Sequence, residues 1–228
     1  MENLSGKTAL VTGSTGGVGR LVARELGQAG ARVLVHGRDA ERGARVVADI
    51  EAVGVAAFLA ADLSALAEVR RLADEAQAAV DRLDILINNA GIGTAGPRQT
   101  SAEGFELRFA VNYLAGFLLT LLLLPLIKNS TPARIVNVSS AGQQPIDFGD
   151  VMLTRGYSGT RAYCQSKLAQ IMFTRSRGCA RGYRRHGHLP SPRDLHGYKH
   201  GAAGWSEAVE HGRGRRTGDP QSRHIPCG

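Results

Sequence analysis

Short apolar runs alternate with amphipathic stretches from the start of the chain to about Thr174. The apolar runs predict buried strands, and apolar residues spaced three and four apart predict helices between them. The predicted strands are Lys7–Thr12, Ala31–Val35, Val55–Ala60, Leu83–Ile87 and Arg134–Val138. The predicted helices are Gly19–Ala29, a helix from an Asp39 cap to about Val53, a helix after a Ser64 cap, Ser101–Ile127 with a break around Asn112, and Arg161–Thr174.

This order of elements predicts the fold class. Strands that alternate with helices indicate an α/β fold with a Rossmann-type, doubly wound parallel sheet. Ligands bind such sheets beyond the carboxyl ends of the strands. The polar and glycine-rich segments of the chain follow predicted strands, so we expect them to meet at one edge of the sheet.

The last quarter of the chain has a different composition. Residues 175–228 contain 11 Lys/Arg and four Asp/Glu, whereas residues 1–174 are nearly neutral and the whole chain carries a net charge of +8. Few large apolar residues occur in this tail, so we expect it to be disordered or loosely structured. We therefore predict a catalytic core over 1–174 and a basic tail over 175–228. A tail that binds nucleic acid is an alternative, and its affinity would fall steeply with salt.

Neither a metal site nor a membrane segment is predicted. The tail residues Cys179, His186, His188, His196 and His200 match no standard zinc spacing. The longest apolar run, Leu114–Ile127, is too short to span a bilayer. No signal peptide is recognised at the start, and three cysteines give no disulfide framework, so we expect a cytoplasmic protein without membrane partners.

A glycine-rich turn follows the first predicted strand. Gly13, Gly17 and Gly19 would let backbone N–H groups approach a pyrophosphate at the start of a helix. A tight turn that binds nothing is the alternative, because such a pattern alone is a weak signal. Its place after the first strand favours a dinucleotide site.

Arg38 follows the second strand and bears on the choice of dinucleotide. An arginine there favours the 2′-phosphate of NADP(H), whereas an acidic residue favours the ribose of NAD(H). We therefore favour NADP(H), with NAD(H) as the alternative if Asp39 is the ribose partner.

Two further strand ends carry polar side chains. Asp62 ends the third strand and could face an adenine or simply start a helix. The segment from Asn88 to Gly91 could contact a cofactor through its backbone or be an ordinary turn. Neither segment is decisive alone.

Five residues are candidates for a proton relay. Tyr163 and Lys167 lie four apart and share one face of a helix, where the lysine charge would favour the phenolate. Ser139 and Ser140 follow the fifth strand, where a hydroxyl could bind a carbonyl oxygen. Asn112 interrupts an apolar helix. Each feature also has an explanation that needs no function. Tyr163 and Lys167 could be a surface pair, the serines could form a turn, and Asn112 could lie on a polar helix face.

Taken together, these motifs resemble the short-chain dehydrogenase/reductase family. The segments are TGSTGGVG, NNAG, the helix asparagine, the strand-end serine and YCQSK. The resemblance implies that Tyr163 is the general acid or base, that Lys167 lowers its pKa and holds the nicotinamide ribose, that Ser140 binds the substrate oxygen, and that Asn112 completes the relay. It also implies cofactor contacts from Gly13, Ser14, Thr15, Gly17, Val18, Gly19, Arg38, Asp62, Leu63, Asn89, Ala90, Gly91, Tyr163 and Lys167.

The spacing between serine and tyrosine is more similar to the retinol-dehydrogenase-like and protochlorophyllide-reductase-like branch. The extra loop, about 143–160, would flank a small alcohol or carbonyl substrate. The tail departs from the family, which continues with further strands and helices. Our hypothesis is that residues 182–218 are translated out of frame, because an alternative frame can encode a family-like strand, turn and helix. Sequencing the gene tests this.

The resulting expectation is an oxidoreductase that interconverts an alcohol and an aldehyde or ketone, with activity weakened by the tail. A protein that binds a dinucleotide without catalysis is the alternative. Substrate identity, reaction direction and any homo-oligomeric state stay open, because the residues that line a pocket vary within one fold.

Overall fold

A five-stranded parallel sheet lies at the centre of the fold. The computed structural model describes residues 3–52 and 54–177. The sheet order is β3-β2-β1-β4-β5, and every pairing is parallel. The strands are β1 Thr8–Val11, β2 Arg32–Gly37, β3 Val55–Ala60, β4 Ile85–Asn88 and β5 Arg134–Asn137. All five predicted strands are confirmed, with ends shifted by at most two residues.

Helices cover both faces of this sheet. Side chains alternate along a strand, so Leu10 and Leu34 enter one core while Val11 and Val33 enter the other. The predicted doubly wound, Rossmann-type arrangement is therefore confirmed. The helices are α1 Gly17–Gln28, α2 Ala40–Glu51, α3 Leu66–Ala79, α4 Leu107–Phe109, a π-helical turn Ala110–Leu114, α5 Ala115–Asn129 and α6 Gly159–Arg177.

One of the two predicted helix caps is confirmed and the other is wrong. The Asp39 side chain accepts a hydrogen bond from Arg42 N at 3.0 Å and so caps α2. Ser64 does not cap α3: the N-cap residue is Ala65, whose own side chain forms no capping bond. The first amide of α3, Leu66 N, instead donates to Glu103 Oε1 at 2.7 Å. A cap supplied by a residue 37 positions away leaves no local sequence signal.

The long helix predicted over Ser101–Ile127 begins later than expected. Residues 101–106 form a turn in which Ser101 N donates to Phe105 O at 2.8 Å, and helix starts only at Leu107. The predicted break around Asn112 is confirmed as the π-helical turn. Such turns are rare and frequently lie at functional sites.

The helical stretch Leu107–Asn129 is long and apolar enough to cross a membrane. It contains 23 residues, and an 18-residue window within it has a mean hydropathy of 2.1, so the expectation that no run is long enough is wrong by length and composition. A core helix of a soluble protein meets the same criteria. Ala115, Leu119 and Leu123 of this stretch are fully buried in the same core as Leu10 and Leu34.

The carboxyl ends of all five strands point to one edge of the sheet. The glycine turn, Arg38, Asp62, the Asn89–Gly91 segment and the Ser139–Ser140 pair follow β1 to β5 respectively. This is the edge at which open α/β sheets bind ligands. The predicted tail begins at residue 175, but α6 continues to Arg177. The rest of the tail prediction and the prediction of missing C-terminal strands concern residues 178–228, which lie outside the described residues.

Candidate active site

A cleft of about 590 Å³ lies at this edge of the sheet. Its volume is typical of a pocket for a small molecule or cofactor. Eleven of the predicted cofactor residues line it, namely Gly13, Thr15, Gly17, Val18, Gly19, Arg38, Asp62, Leu63, Asn89, Ala90 and Gly91. Ser14 lies behind the cleft instead: it is completely buried, and its hydroxyl donates to Val11 O at 2.7 Å and accepts from His36 N at 3.0 Å.

Two glycines of the turn lie so close to neighbouring atoms that a side chain at either position would collide with them. Gly13 has a φ of +65°, and a Cβ atom there would lie 2.8 Å from Ala90 Cα. A Cβ atom at Gly19 would overlap Asn89 Nδ2 and the Gly13 carbonyl oxygen. Both positions therefore require glycine, and the turn brings backbone to the start of α1, where a pyrophosphate would bind.

Thr12 joins the glycine turn to the segment after β4. Its hydroxyl accepts hydrogen bonds from Asn89 N at 2.9 Å and from Ala90 N at 3.0 Å. The Asn89 side chain in turn donates to Thr12 O at 2.9 Å. The two walls of the cleft are thus fixed to each other. The asparagine here builds the site. Thr12 begins the TGSTGGVG motif but is not among the predicted cofactor contacts.

The predicted catalytic residues lie beyond the Gly91 end of the cleft. A Cβ atom at Gly91 would lie 3.3 Å from Asn112 Oδ1 and 3.6 Å from Lys167 Nζ, so both side chains reach this point. A Cβ atom at Gly142 would lie 3.6 Å from Ser140 Oγ and 3.7 Å from Tyr163 Cε1.

Lys167 also lies beside the tyrosine. Its Nζ atom is 5.8 Å from the centroid of the Tyr163 ring. The fold therefore brings Asn112, Ser140, Tyr163 and Lys167 together, although 55 residues separate the first from the last in the sequence.

The π-helical turn aims Asn112 at the loop after β4. The Asn112 side chain accepts from Ile92 N at 2.8 Å and donates to Ile92 O at 3.2 Å. It also donates to Ser166 Oγ at 3.0 Å, which ties it to the residue before Lys167. Asn112 is almost fully buried, so these bonds satisfy an amide that would otherwise be costly to bury.

Comparison with known proteins identifies the family. A match to the short chain dehydrogenase family covers residues 7–187. The chain belongs to the short-chain dehydrogenase/reductase family of oxidoreductases. It is 41% identical over 178 residues to retinol dehydrogenase 13 of Homo sapiens, covering 75% of this chain and 54% of that protein. It is 44% identical over 177 residues to polyprenol dehydrogenase of Mus musculus, covering 74% of this chain and 52% of that protein.

Solved structures of short-chain dehydrogenases share this fold. A metagenomic short-chain oxidoreductase in complex with NADP matches with a TM-score of 0.65 and 33% identity, over 77% of this chain and 75% of that chain. The RhlG/NADP active-site complex of Pseudomonas aeruginosa matches with a TM-score of 0.63 and 34% identity, over 77% and 68%. The predicted retinol-dehydrogenase-like branch is confirmed. The chain spans about half the length of the dehydrogenases it matches by sequence.

His36 is a residue of this short-chain dehydrogenase site that the motifs missed. It is only 2% exposed, and its Nδ1 accepts a hydrogen bond from Gly13 N at 3.0 Å. Its Nε2 has no hydrogen-bond partner within the part of the chain that the structure describes. Burial lowers the pKa of His36 to about 4, although the Ala61 backbone and the Asp62 charge oppose this shift. The imidazole is therefore neutral at pH 7 and supports the glycine turn.

We expect the His36 burial to make the fold sensitive to acid. The unfolded chain takes up a proton near pH 6.5 and the folded chain only near pH 4, so stability falls as pH drops through this window. The full effect is ~3 kcal/mol. Chemical unfolding at pH 7, 5.5 and 4 measures it. In His36→Asn, an amide oxygen can replace Nδ1 as the acceptor without titrating, and the loss should shrink. An equal loss in both proteins would remove His36 as its cause.

Arg38 and Asp62 form an exposed pair across the mouth of the cleft. Arg38 Nη1 lies 3.7 Å from Asp62 Oδ2. Burial alone would raise the Asp62 pKa, but hydrogen bonds from Ser64 and the Arg38 charge outweigh it and hold the pKa below its usual value. Arg42 lines the same cleft, and its Nη2 would be 3.2 Å from a Cβ atom at Gly16. This mouth is therefore rich in cationic donors.

No group of three or more His, Cys, Asp or Glu side chains with metal-binding geometry occurs within residues 3–52 and 54–177. The cysteines and histidines considered in the sequence for a zinc site lie outside this part of the chain. Cys164, which is described, is a buried free thiol beside Tyr163.

Proposed function

We propose that this chain is an NADP(H)-dependent oxidoreductase that interconverts an alcohol and an aldehyde or ketone. One observation carries the proposal: the glycine-lined cleft ends at Gly91, where a Cβ atom would lie 3.3 Å from Asn112 Oδ1 and 3.6 Å from Lys167 Nζ. The glycine-lined cradle and the buried, unpartnered His36 Nε2 fit a bound dinucleotide. The NADP complexes of similar folds support the same assignment.

Two side-chain hydroxyl groups of the protein transfer the proton and bind the substrate oxygen. Bound NADPH would supply the hydride in the reduction, and bound NADP⁺ would accept it in the oxidation. In the reduction, Tyr163 donates a proton to the substrate oxygen, and in the oxidation it accepts one. Ser140, whose hydroxyl shares the space around Gly142 with the Tyr163 ring, holds that oxygen by a hydrogen bond. The two hydroxyl groups thus bind the oxygen whose charge changes during reaction.

Lys167 keeps one donor for a third contact. Its ammonium donates to Val138 O at 2.9 Å and to Gln170 Oε1 at 2.9 Å. An ammonium has three donors, so one remains for a ribose hydroxyl or the Tyr163 oxygen. Burial lowers the pKa of Lys167 to about 8. The side chain is therefore mainly charged at pH 7, which the proposed role requires.

The NADP(H) preference rests on Arg38. Arg38→Ala should weaken NADPH binding by about 1–3 kcal/mol, because a hydrogen-bonded charge partner of the 2′-phosphate is lost. NADH binding should hardly change, since NADH has no such phosphate. Titration of cofactor fluorescence with the purified chain measures both affinities.

Arg70→Ala is the matched control for this test. Arg70 is an exposed arginine on α3, and its removal lowers the net charge of the chain equally. The two cofactors should bind this variant as they bind the native chain. If Arg38→Ala lost affinity equally for NADPH and NADH, Arg38 would not be at the 2′-phosphate.

The substrate class follows from the relatives. The names of similar dehydrogenases indicate retinol and polyprenol as their alcohols. We propose that this chain acts on an apolar primary alcohol or the corresponding aldehyde. Oxidation of retinol, a polyprenol and short alcohols with NADP⁺ tests this. Saturable cofactor binding without turnover of any of them would instead indicate a non-catalytic dinucleotide-binding protein. The cytoplasmic location stays a prediction.

A further inference from the structure

A buried ionic cluster lies beside the active site and has no part in the proton relay. Its members are Glu106, 1% exposed, Arg108, 3% exposed, and the half-buried Tyr157. Arg108 Nη1 lies 3.6 Å from Glu106 Oε1. Charged groups are rarely buried so completely unless each is paired and hydrogen-bonded. Simple packing therefore does not explain why these two charged side chains are buried here.

Arg108 connects two segments that are far apart in sequence. Its Nε donates to Gly93 O at 2.7 Å, and its Nη2 donates to Ala95 O. Its Nη1 donates to the Tyr157 hydroxyl. A guanidinium is a rigid, planar fork, so these three acceptors fix each other's positions. The loop after β4 is thereby attached to the loop before α6.

Glu106 completes the junction. Its Oε2 accepts from Phe109 N at 2.7 Å and so begins the helical stretch that contains Asn112. Its Oε1 accepts from the Tyr157 hydroxyl at 3.2 Å. The start of one catalytic helix is therefore bonded to the segment that leads into the other.

The three connected pieces each carry part of the site. Asn112 lies one turn after Arg108, and its side chain bonds both backbone groups of Ile92, which precedes Gly93. At the start of α6, a Cβ atom at Gly159 would overlap the Thr94 carbonyl oxygen. The same Cβ atom would lie 3.4 Å from Arg108 Nη2. The first turn of α6, which leads to Tyr163, is thus packed directly on the arginine-bound loop.

We propose that Arg108 is a positioning residue that sets the relative placement of the Asn112 turn and the Tyr163 helix by fixing Gly93–Ala95 to Tyr157. This inference rests on the proposed function for its kinetic consequence. Its structural consequence does not depend on the proposed function. The loop after β4 and the start of α6 should both become more mobile when the Arg108 guanidinium is replaced.

The test compares Arg108→Lys and Tyr157→Phe with the native chain. Lysine keeps the charge beside Glu106 but cannot bridge three acceptors, and phenylalanine removes only the shared hydroxyl. Hydrogen exchange followed by mass spectrometry should show residues 92–96 and 158–163 exchanging at least about tenfold faster, with the β1, β2 and β4 amides unchanged. With a substrate that turns over, kcat should fall in both variants while NADPH affinity changes less than about twofold.

Arg98→Lys is the matched control. Arg98 donates to Met152 O and Leu153 O and so holds the same loop before α6, but it makes no such link to Gly93–Ala95. It should leave exchange at 92–96 and kcat unchanged. The proposal is overturned if Arg108→Lys exchanges like the native chain, if exchange rises evenly through the sheet, or if kcat is unchanged despite faster local exchange. Absence of turnover in the native chain would count against the proposed function alone, because the exchange result still tests the junction.

Discussion

Replacing Tyr163 with phenylalanine should lower turnover by about 100- to 10,000-fold. The substitution removes the hydroxyl proposed to exchange a proton with the substrate oxygen and leaves the ring that lies 5.8 Å from Lys167 Nζ. NADPH affinity should change little, because the lost group acts in the chemical step. Steady-state rates with NADPH and a carbonyl substrate, alongside fluorescence titration, separate the two effects.

Tyr113→Phe is the control for this prediction. Tyr113 packs edge-to-face against Phe109 and at a tilt against Phe117, on the helical stretch next to Asn112. Its replacement removes the same hydroxyl from an aromatic cluster that the proposed relay does not use, so rates should stay near native. A Tyr163→Phe protein that kept more than about a tenth of native turnover would contradict the assignment of Tyr163 as the acid or base.

Replacing Lys167 with methionine should damage both turnover and cofactor binding. The ammonium is proposed to stabilise the Tyr163 oxyanion and to hold the ribose, and the loss of a charged hydrogen bond costs about 1.5–3 kcal/mol. Both the rate and the NADPH affinity should therefore fall. Lys128→Met, which removes an exposed lysine at the end of α5, should alter neither.

The same lysine predicts a pH dependence. Burial lowers the pKa of Lys167 to about 8, so its ammonium is lost as pH rises through that value. The native kcat/KM should decline above about pH 8, and the Lys167→Met protein should lack that decline in its residual activity. A rate that stays constant from pH 7 to 10 would show that the charge on Lys167 is not needed.

The strands and the site motifs could be predicted because their signals are local. Ala9, Leu10 and Val11 form a short apolar run within the first strand, and the glycines that follow are required by contacts within the turn and with Ala90. Tyr163 and Lys167 share a helix face at a fixed spacing. The interruption at Asn112 could be predicted because a polar residue stands in an apolar run.

The features that could not be predicted from the sequence depend on contacts between residues that are far apart in the chain. Glu103 caps α3 in place of Ser64, across 37 residues, and the Arg108–Tyr157 bond spans 49. His36 lies in a strand like any other residue, and only the fold reveals that Gly13 N donates to it. Long-range polar contacts of this kind leave no periodicity behind, so residue spacing alone cannot predict them.

The central claim is that the cleft and the four-residue cluster act together in hydride transfer. The direct measurement incubates the purified chain with NADPH deuterated at the transferable position and a panel of apolar aldehydes and ketones, with mass spectrometry of the alcohols formed. We expect deuterium on the carbinol carbon of at least one product, and none with Tyr163→Phe. Saturable NADPH binding with no deuterium in any product would contradict the account and indicate a protein that binds the dinucleotide without catalysis.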